Sequence, residues 1–296
     1  LFVPSGTTVY IDGGARVYGN IFTEGAHDVN IFGRGEVHPD GRGAGVWVRR
    51  SKNVRIDGIV VSQLPIGQCD SVELTNVKSI SYYGWGDGMD VFSSSNVILD
   101  GVFCRNSDDC AAVYASTQGF KGGSNNVLVK NATLWADVAH PINIGGHGDP
   151  NGMDTVQNVT FRNIDILDQA EKQVDYQGCL AINPGDNTLV RNITFENIRI
   201  EDFRNGQLVN FRISFNPKYC VSTGRGIQNV LVKDVTYNGS GENLSIIAGY
   251  DENHKISGIR FVNLVVNGRK ITDDMPGKPK WYKTGDMAGI FVGEHV

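Results

Sequence analysis

The sequence predicts an all-β fold, a right-handed parallel β-helix, and three observations carry that prediction. One unit recurs along the chain: an Asn, a β-branched residue and an alternating apolar stretch, as in NVRIDGIVV, NVILDGVFC, NVLVKNATLW, NVTFRNIDIL, NITFENIRIE and NVLVKDVTY. The unit returns at a coil-sized interval. From Asn53 through Asn76, Asn96, Asn126, Asn158 and Asn192 to Asn229 the steps are 23, 20, 30, 32, 34 and 37 residues, the irregular growth of a solenoid whose loops vary while its strands do not. The third observation is glycine. It occupies 37 of 296 positions, against a usual ~7%, and so demands many turns, while helical i, i+3, i+4 spacing is missing from every long window.

Taken in chain order, FVPSGTTVYIDGGARVYGNIF and VNIFGRGEV read as the first coils, and the Asn-led units from Asn53 to Tyr237 as the body. The stretch KPKWYKTGDMAGIFVG reads as an irregular cap over the last sheet edge, where unpaired backbone has to be covered. Residues 1–296 are expected to form one domain. Asn at a coil corner tolerates left-handed backbone and bonds to its copies above and below. That accounts for the N-x-S/T sequences at Asn158 and Asn192 without glycosylation; Asn131, Asn238 and Asn243 begin three more.

Composition excludes several classes. With 27 basic against 32 acidic residues, net −5, there is no basic stripe for a phosphate backbone and no nucleic-acid partner is expected. No apolar run approaches about 18 residues, so no membrane partner is expected either. The start LFVPSGTTVY has no charged leader and no Met, which reads as a mature or trimmed chain. The five cysteines, Cys69, Cys104, Cys110, Cys179 and Cys220, show no CxxC pair and no dense spacing. No metal, cofactor or disulfide scaffold is expected, and most of the thiols read as small buried apolar groups.

Four segments align by alternation: DGMDVF, DCAAVY, HPINIG and GCLAIN. The alignment puts Met89, Ala111, Ile142 and Leu180 in one inward column, and two residues earlier Asp87, Asp109, His140 and Gly178. An Asp-Asp pair seen alone is a solvated loop. Stacked under Asp87 and beside His140, Asp108 and Asp109 become three crowded carboxylates, roughly 5–8 Å apart at strand spacing. They cannot all ionise easily, and one retained proton supplies an acid and a base together. That pair is what glycoside hydrolysis needs: one carboxyl to protonate the leaving oxygen, another to activate water. His140 would hydrogen-bond a carboxyl and hold its charge state. Tyr114 is a candidate to stack on a sugar face, as are Trp85 and Trp135. His147, in GGHGDP, is a candidate for the cleft rim, and Asn183 and Arg212 are candidate substrate contacts from later coils.

The segments GDGMD, SDDCAAV and HPINIG, in this order, resemble the active-site motifs of the polygalacturonase family of glycoside hydrolases, which read NTDGFD, DDC-V-A-V and GHG-L-S-I-G. Asp87 and Asp108 are 21 residues apart, about one coil, and the resemblance runs from the first coils through GIQNVLVKDVTYNG. It implies a pectin-lyase-like solenoid and inversion at the anomeric carbon. It also implies that Asp108 is the general acid and that Asp87 and Asp109 position and activate the water. The family's Arg-x-Lys, which binds a galacturonate carboxylate, should fall in GCLAINPGD, where Ala181 and Asn183 stand instead. An uncompensated carboxylate is strongly disfavoured in such a subsite, so a neutral α-glycan is expected over polygalacturonan. The dextranase and isopullulanase family, which DDCAAVY and ATLWADVAHPINIG also resemble, points the same way. Arg212 is the cation that keeps acidic sugars open. A β-helix polysaccharide lyase and a non-catalytic carbohydrate-binding β-helix are the alternative readings. A polysaccharide or oligosaccharide partner implies a secreted or periplasmic protein.

Overall fold

The computed structural model describes residues 1–241 and 243–296. The chain winds as a right-handed parallel β-helix. Successive coils add one strand to a 10-stranded sheet and one or two to a 16-stranded sheet. Among the described residues every pair of strands is parallel except the hairpin of Val265–Val266 with Arg269–Lys270. Helix among the described residues is confined to two 3₁₀ turns, Val174–Tyr176 and Thr284–Ala288.

Parallel register turns the sequence repeat into columns. Val54, Val72, Val97, Val127, Val159, Ile193 and Val230 stack one above another, none more than 1% exposed. Each such side chain contributes about 1.5–3 kcal/mol of burial. Phe161, Phe195 and Phe211 continue the packing as parallel-displaced rings with centroids 5.9 and 6.0 Å apart. One hydrophobic core runs through the coils from Val3 to Ile290. Cys69, Cys104, Cys110 and Cys179 are buried and unbridged in it, and Cys220 is half-buried.

The larger sheet bends at two left-handed corners rather than one. The first column holds Asn53, Ser71, Asn96, Asn126, Asn158, Asn192 and Asn229, with φ between 52° and 59°. Within it Asn126 donates to Asn96 at 2.7 Å, Asn192 to Asn158 at 3.1 Å and Asn229 to Asn192 at 3.3 Å. The sequence expectation of a single column with Asn76 is corrected here. Asn76 follows Thr75, which pairs with Asp100, so it lies beside Gly101 in the second corner, and Ser71 takes the first. A serine in left-handed geometry leaves no sequence signal to mark it as a corner. The ladder has one offset, because Asn158 donates to Asn125 at 2.8 Å instead of to Asn126. The second corner carries its own amide ladder, Asn131, Asn163 and Asn197, joined at 2.7 and 3.2 Å.

The C-terminal tail is less irregular than expected. Ile290–Val292 pairs in parallel with the Ser245–Ala248 strand and extends the 10-stranded sheet.

Candidate active site

The turns that lead into the 10-stranded sheet hold the acidic column. Backbone bonds continue straight through them. Gly88 N–H donates to Asp109 O at 2.7 Å and Cys110 N–H to His140 O at 2.9 Å, so Asp87, Asp109 and His140 sit one coil above another. The approach is close: a Cβ on Gly88 would lie 2.2 Å from the Cys110 carbonyl oxygen, which only glycine allows. Asn106 braces the same turn, donating to the Asp87 carbonyl at 3.1 Å and to Ser79 and Ser81 at 3.0 Å. The strands then run in the register expected from the sequence, Met89 beside Ala111, Ile142 and Leu180.

Carboxylate oxygens of Asp87, Asp108 and Asp109 lie within 4.8 Å of one another. Asp109 is the best held. Its Oδ1 accepts from His140 N–H at 3.0 Å and from Nδ1 at 2.7 Å. Its Oδ2 accepts from Tyr114 OH at 2.5 Å and from Asn143 Nδ2 at 2.7 Å. Burial opposes its charge, but the pull of His140 and the bonds from His140, Tyr114 and Asn143 win, holding its carboxyl below the usual range. Its partners go the other way. Burial, then the Asp109 charge, pushes Asp87 up to about 7, and burial, then Asp109 and Asp87, pushes Asp108 up to about 8. One anion and two protonatable carboxyls therefore share the turn.

His140 is fully buried, as its expected role requires. Its ring meets Tyr176 edge-on at 4.3 Å, and its Nε2 has no hydrogen-bond partner. Tyr114 is not the sugar contact the sequence suggested. It is buried, its hydroxyl is spent on Asp109, and its ring stacks on Phe92 at 5.9 Å. His147 packs edge-on against Tyr114 at 5.0 Å, and burial lowers its pKa. Asn183 is turned to the next coil, donating to Asn210 Oδ1 at 3.1 Å and to the Arg212 carbonyl at 3.2 Å. Arg212 reaches back to an ion pair with Asp175 at 2.5 Å. Trp85 stands 69% exposed, two residues before Asp87. Trp135 instead faces out from the larger sheet beneath the Arg105 guanidinium, 4.3 Å away.

Several participants were missed by sequence reasoning. Asn143 was legible: it alternates outward in HPINIG and lies in register with Ala112 and Asp90. Asp90 was visible beside Asp87 but given no role. It is 5% exposed with Oδ1 unpartnered, and burial, then Asp87, Asp109 and Asp108, raises its pKa well above the usual carboxyl range. Tyr176, Tyr219 and Lys218 come from irregular segments with no period to read. Tyr176 and Tyr219 stack at 4.8 Å, and Lys218 Nζ lies 4.7 Å from the Tyr219 ring centroid. One oxygen from each of these carboxyls could also face a hard cation, which would compete with donors on Asp109 and with protons on Asp87 and Asp108.

The fold and this column define a β-helix of the carbohydrate-active kind, and comparison with known proteins agrees. Residues 44–276 match the model of Glycosyl hydrolases family 28, and the chain belongs to that family. It is 26% identical over 216 residues to a polygalacturonase of Juniperus ashei, covering 70% of this chain and 39% of that protein. To an exopolygalacturonase of Cochliobolus carbonum it is also 26% identical over 216 residues, covering 61% of this chain and 46% of the other. The chain thus spans less than half the length of these two relatives. Among solved structures, the family 28 exopolygalacturonase of Yersinia enterocolitica superposes with a TM-score of 0.71 at 15% identity, over 90% of this chain and 63% of that one.

Proposed function

We propose that this chain hydrolyses glycosidic bonds of a galacturonate-containing polysaccharide, with inversion, using Asp108 as general acid and Asp87 as the base for water. The observation that carries the reading is the split among three carboxyls within 4.8 Å: Asp109 ionised, Asp87 and Asp108 raised to about 7 and about 8. A carboxyl that keeps its proton near neutrality beside one that can surrender it is an acid–base pair. The spacing is tighter than the about 6.5–9.5 Å usual for inverting pairs and nearer the about 5–5.5 Å of retaining ones. Support for inversion comes from the family, and the anomer of the first product tests it.

The preference for a neutral α-glycan, expected from Ala181 and Asn183, is withdrawn. Ala181 is fully buried and the half-buried Asn183 donates to Asn210 and to the Arg212 carbonyl, so their lack of charge does not decide against an acidic sugar. Positive charge comes from elsewhere. Arg212 stands one coil further on, and Lys218 is close enough to Asp108 for their charges to interact. The relatives named polygalacturonase and exopolygalacturonase support the same substrate class. A polymer substrate implies action outside the cytoplasm.

The test is direct. Purified protein should release reducing ends from polygalacturonate and not from dextran or pullulan, and proton NMR of the first product should show the inverted anomer. Arg212→Ala and Lys218→Ala should each raise KM on polygalacturonate about tenfold, the loss of ~1.4 kcal/mol. Turnover of α-glucans alone, or a retained anomer, overturns the reading.

A further inference from the structure

We propose that residues 278–283, a lysine and aromatic turn segment at the C-terminal end of the solenoid, are a second, non-catalytic binding surface for a polyuronate chain. The inference deepens the hydrolase reading, on which the choice of a galacturonate polymer rests.

Charge is spread unevenly along the chain. Residues 260–283 carry six basic and two acidic side chains, net +4, in a chain of net −5. Elsewhere the coils pair their cations: Arg162 and Lys233 both reach Glu196, at 2.8 and 2.7 Å, and Arg16 reaches Glu36 at 2.9 Å. Lys278, Lys280 and Lys283 have no ion-pair partner among the described residues. Two of the neighbouring carboxylates are engaged otherwise. Asp273 accepts from the Thr284 hydroxyl, and Asp286 from the Lys283 backbone N–H at 2.8 Å. Lys280 and Lys283 are exposed and Lys278 is half-buried.

Trp281 stands among these lysines. It is 80% exposed, more than any other large apolar side chain among the described residues. Two turns hold it there, with Lys278 N–H donating to Met275 O at 3.4 Å and Tyr282 N–H to Pro279 O at 3.0 Å. The half-buried Tyr282 meets the indole edge-on, ring centroids 4.3 Å apart. An indole left in water forgoes a large burial energy, and the surface that fits it here has to be apolar and anionic at once. A uronate is both. Its C–H face stacks on an aromatic ring while its carboxylate meets an ammonium, a mobile point charge on a long stem.

The register of the 10-stranded sheet puts this segment on the side of the solenoid where the acids lie. Ala112, Asn143, Ala181, Asn210, Ile246 and Phe291 form one row across the sheet. Asp108 and Asp109 lead into the strand of Ala112, and the Thr284–Ala288 turn leads into the strand of Phe291. The two turns are therefore five strand steps apart, about 24 Å, with Arg212 and Lys218 supplied by coils between them. Phe291, which ends the row, is 52% exposed. Residues 278–283 lie beyond the stretch, 44–276, that matches the family model, so the surface is read from this chain's own residues.

Binding is measured without turnover, in the Asp108→Asn protein, by its retardation in native gels containing graded polygalacturonate. Trp281→Ala and the double variant Lys280→Gln/Lys283→Gln should each raise the dissociation constant about tenfold, Lys280→Arg/Lys283→Arg should keep it, and dextran should retard none of them. Unchanged retardation in the Ala or Gln variants overturns the proposal. So does equal competition by polyglutamate, which has the charge without the sugar face, or tighter binding to phosphatidylserine vesicles, which would give the surface to a membrane. A second measurement needs no lysine variant: the Trp281 indole N–H resonance, assigned with Trp281→Phe, should shift when oligogalacturonate is added, and an unmoved resonance overturns the contact. In the active protein Lys280→Gln/Lys283→Gln should raise KM on the polymer and leave kcat and KM on digalacturonate as they were; an equal rise on both would remove the remote role. A parent that binds polygalacturonate through this segment and hydrolyses nothing sinks the hydrolase reading and leaves the surface. Hydrolysis with retardation indifferent to these variants does the reverse.

Discussion

Two columns of stacked polar side chains run along this β-helix, and they behave oppositely. In the corner ladder an amide can donate to the coil before and accept from the coil after, as Asn192 does between Asn158 and Asn229 at 3.1 and 3.3 Å. An amide carries both donor and acceptor, so such a stack is self-complementary. In the acidic turns the same coil-to-coil stacking brings together Asp87, Asp108 and Asp109, which can only accept when ionised. That column is frustrated, and it is relieved by donors from outside, His140, Tyr114 and Asn143, and by protons kept on Asp87 and Asp108. Identical geometry thus yields a structural ladder with amides and a reactive site with carboxylates.

The largest expected effect breaks the acidic column where it acts. Asp108→Asn keeps the shape and removes the acid, so turnover on natural polymer should fall at least ~10²-fold with circular dichroism unchanged. An aryl glycoside with a good leaving group needs less protonation and should lose less. Near-normal turnover would remove Asp108 from the role of general acid.

A second test reads the protons. If Asp87 must be ionised and Asp108 protonated, kcat/KM is bell-shaped, falling below about 7 as Asp87 takes a proton and above about 8 as Asp108 loses one. The limbs belong to the group of three rather than to single residues. Burial of both carboxyls sets the expected optimum near neutrality. A plateau from pH 4 to 6 would contradict the raised values.

The ladder should fail in stability and not in chemistry. Asn192→Ala loses its amide bonds and leaves a Cβ at φ 56° without the short polar side chain that eases it, in a left-handed backbone that costs an ordinary L-residue about 1–2 kcal/mol. Asn192→Gly loses the same bonds without that backbone cost. Urea denaturation should rank parent, Gly and Ala in that order, with kcat unchanged in both variants.

The smallest effect comes from Asp90. Its folded pKa is raised above the unfolded value of about 3.9, by burial first, so its contribution to stability is present below that unfolded pKa and lost as pH rises through the folded one. Asp90→Asn does not titrate. Its Tm should match the parent near pH 4 and exceed it at pH 7 by about 2–4 °C, what ~1 kcal/mol gives in a large domain. A gap that stays constant with pH would show that Asp90 is not neutral in the folded protein.

Much of this was legible before any coordinates. The solenoid, the inward columns and the convergence of Asp87, Asp108, Asp109 and His140 follow from strand alternation and coil period, which are properties of near neighbours in sequence. The corner register was not fully legible, because Ser71 adopts the left-handed turn without looking like a corner residue while Asn76 looks like one and serves the other bend. Tyr114 was seen as a residue near the acids, but whether its hydroxyl met sugar or carboxylate depended on where the Asp109 turn placed Oδ2, 2.5 Å away.

What the sequence by itself determined is therefore the parallel β-helix and which carboxyls share a turn, since any chain with this alternation and period stacks its coils at one spacing. The tertiary structure decided how deeply each carboxyl is buried, the four donors around Asp109, the Tyr176 cover on His140 and the ion pair of Arg212 with Asp175. Those depend on how loops of unequal length fold back over the turn. Burial and hydrogen bonding act through space across coils, and no local pattern records them.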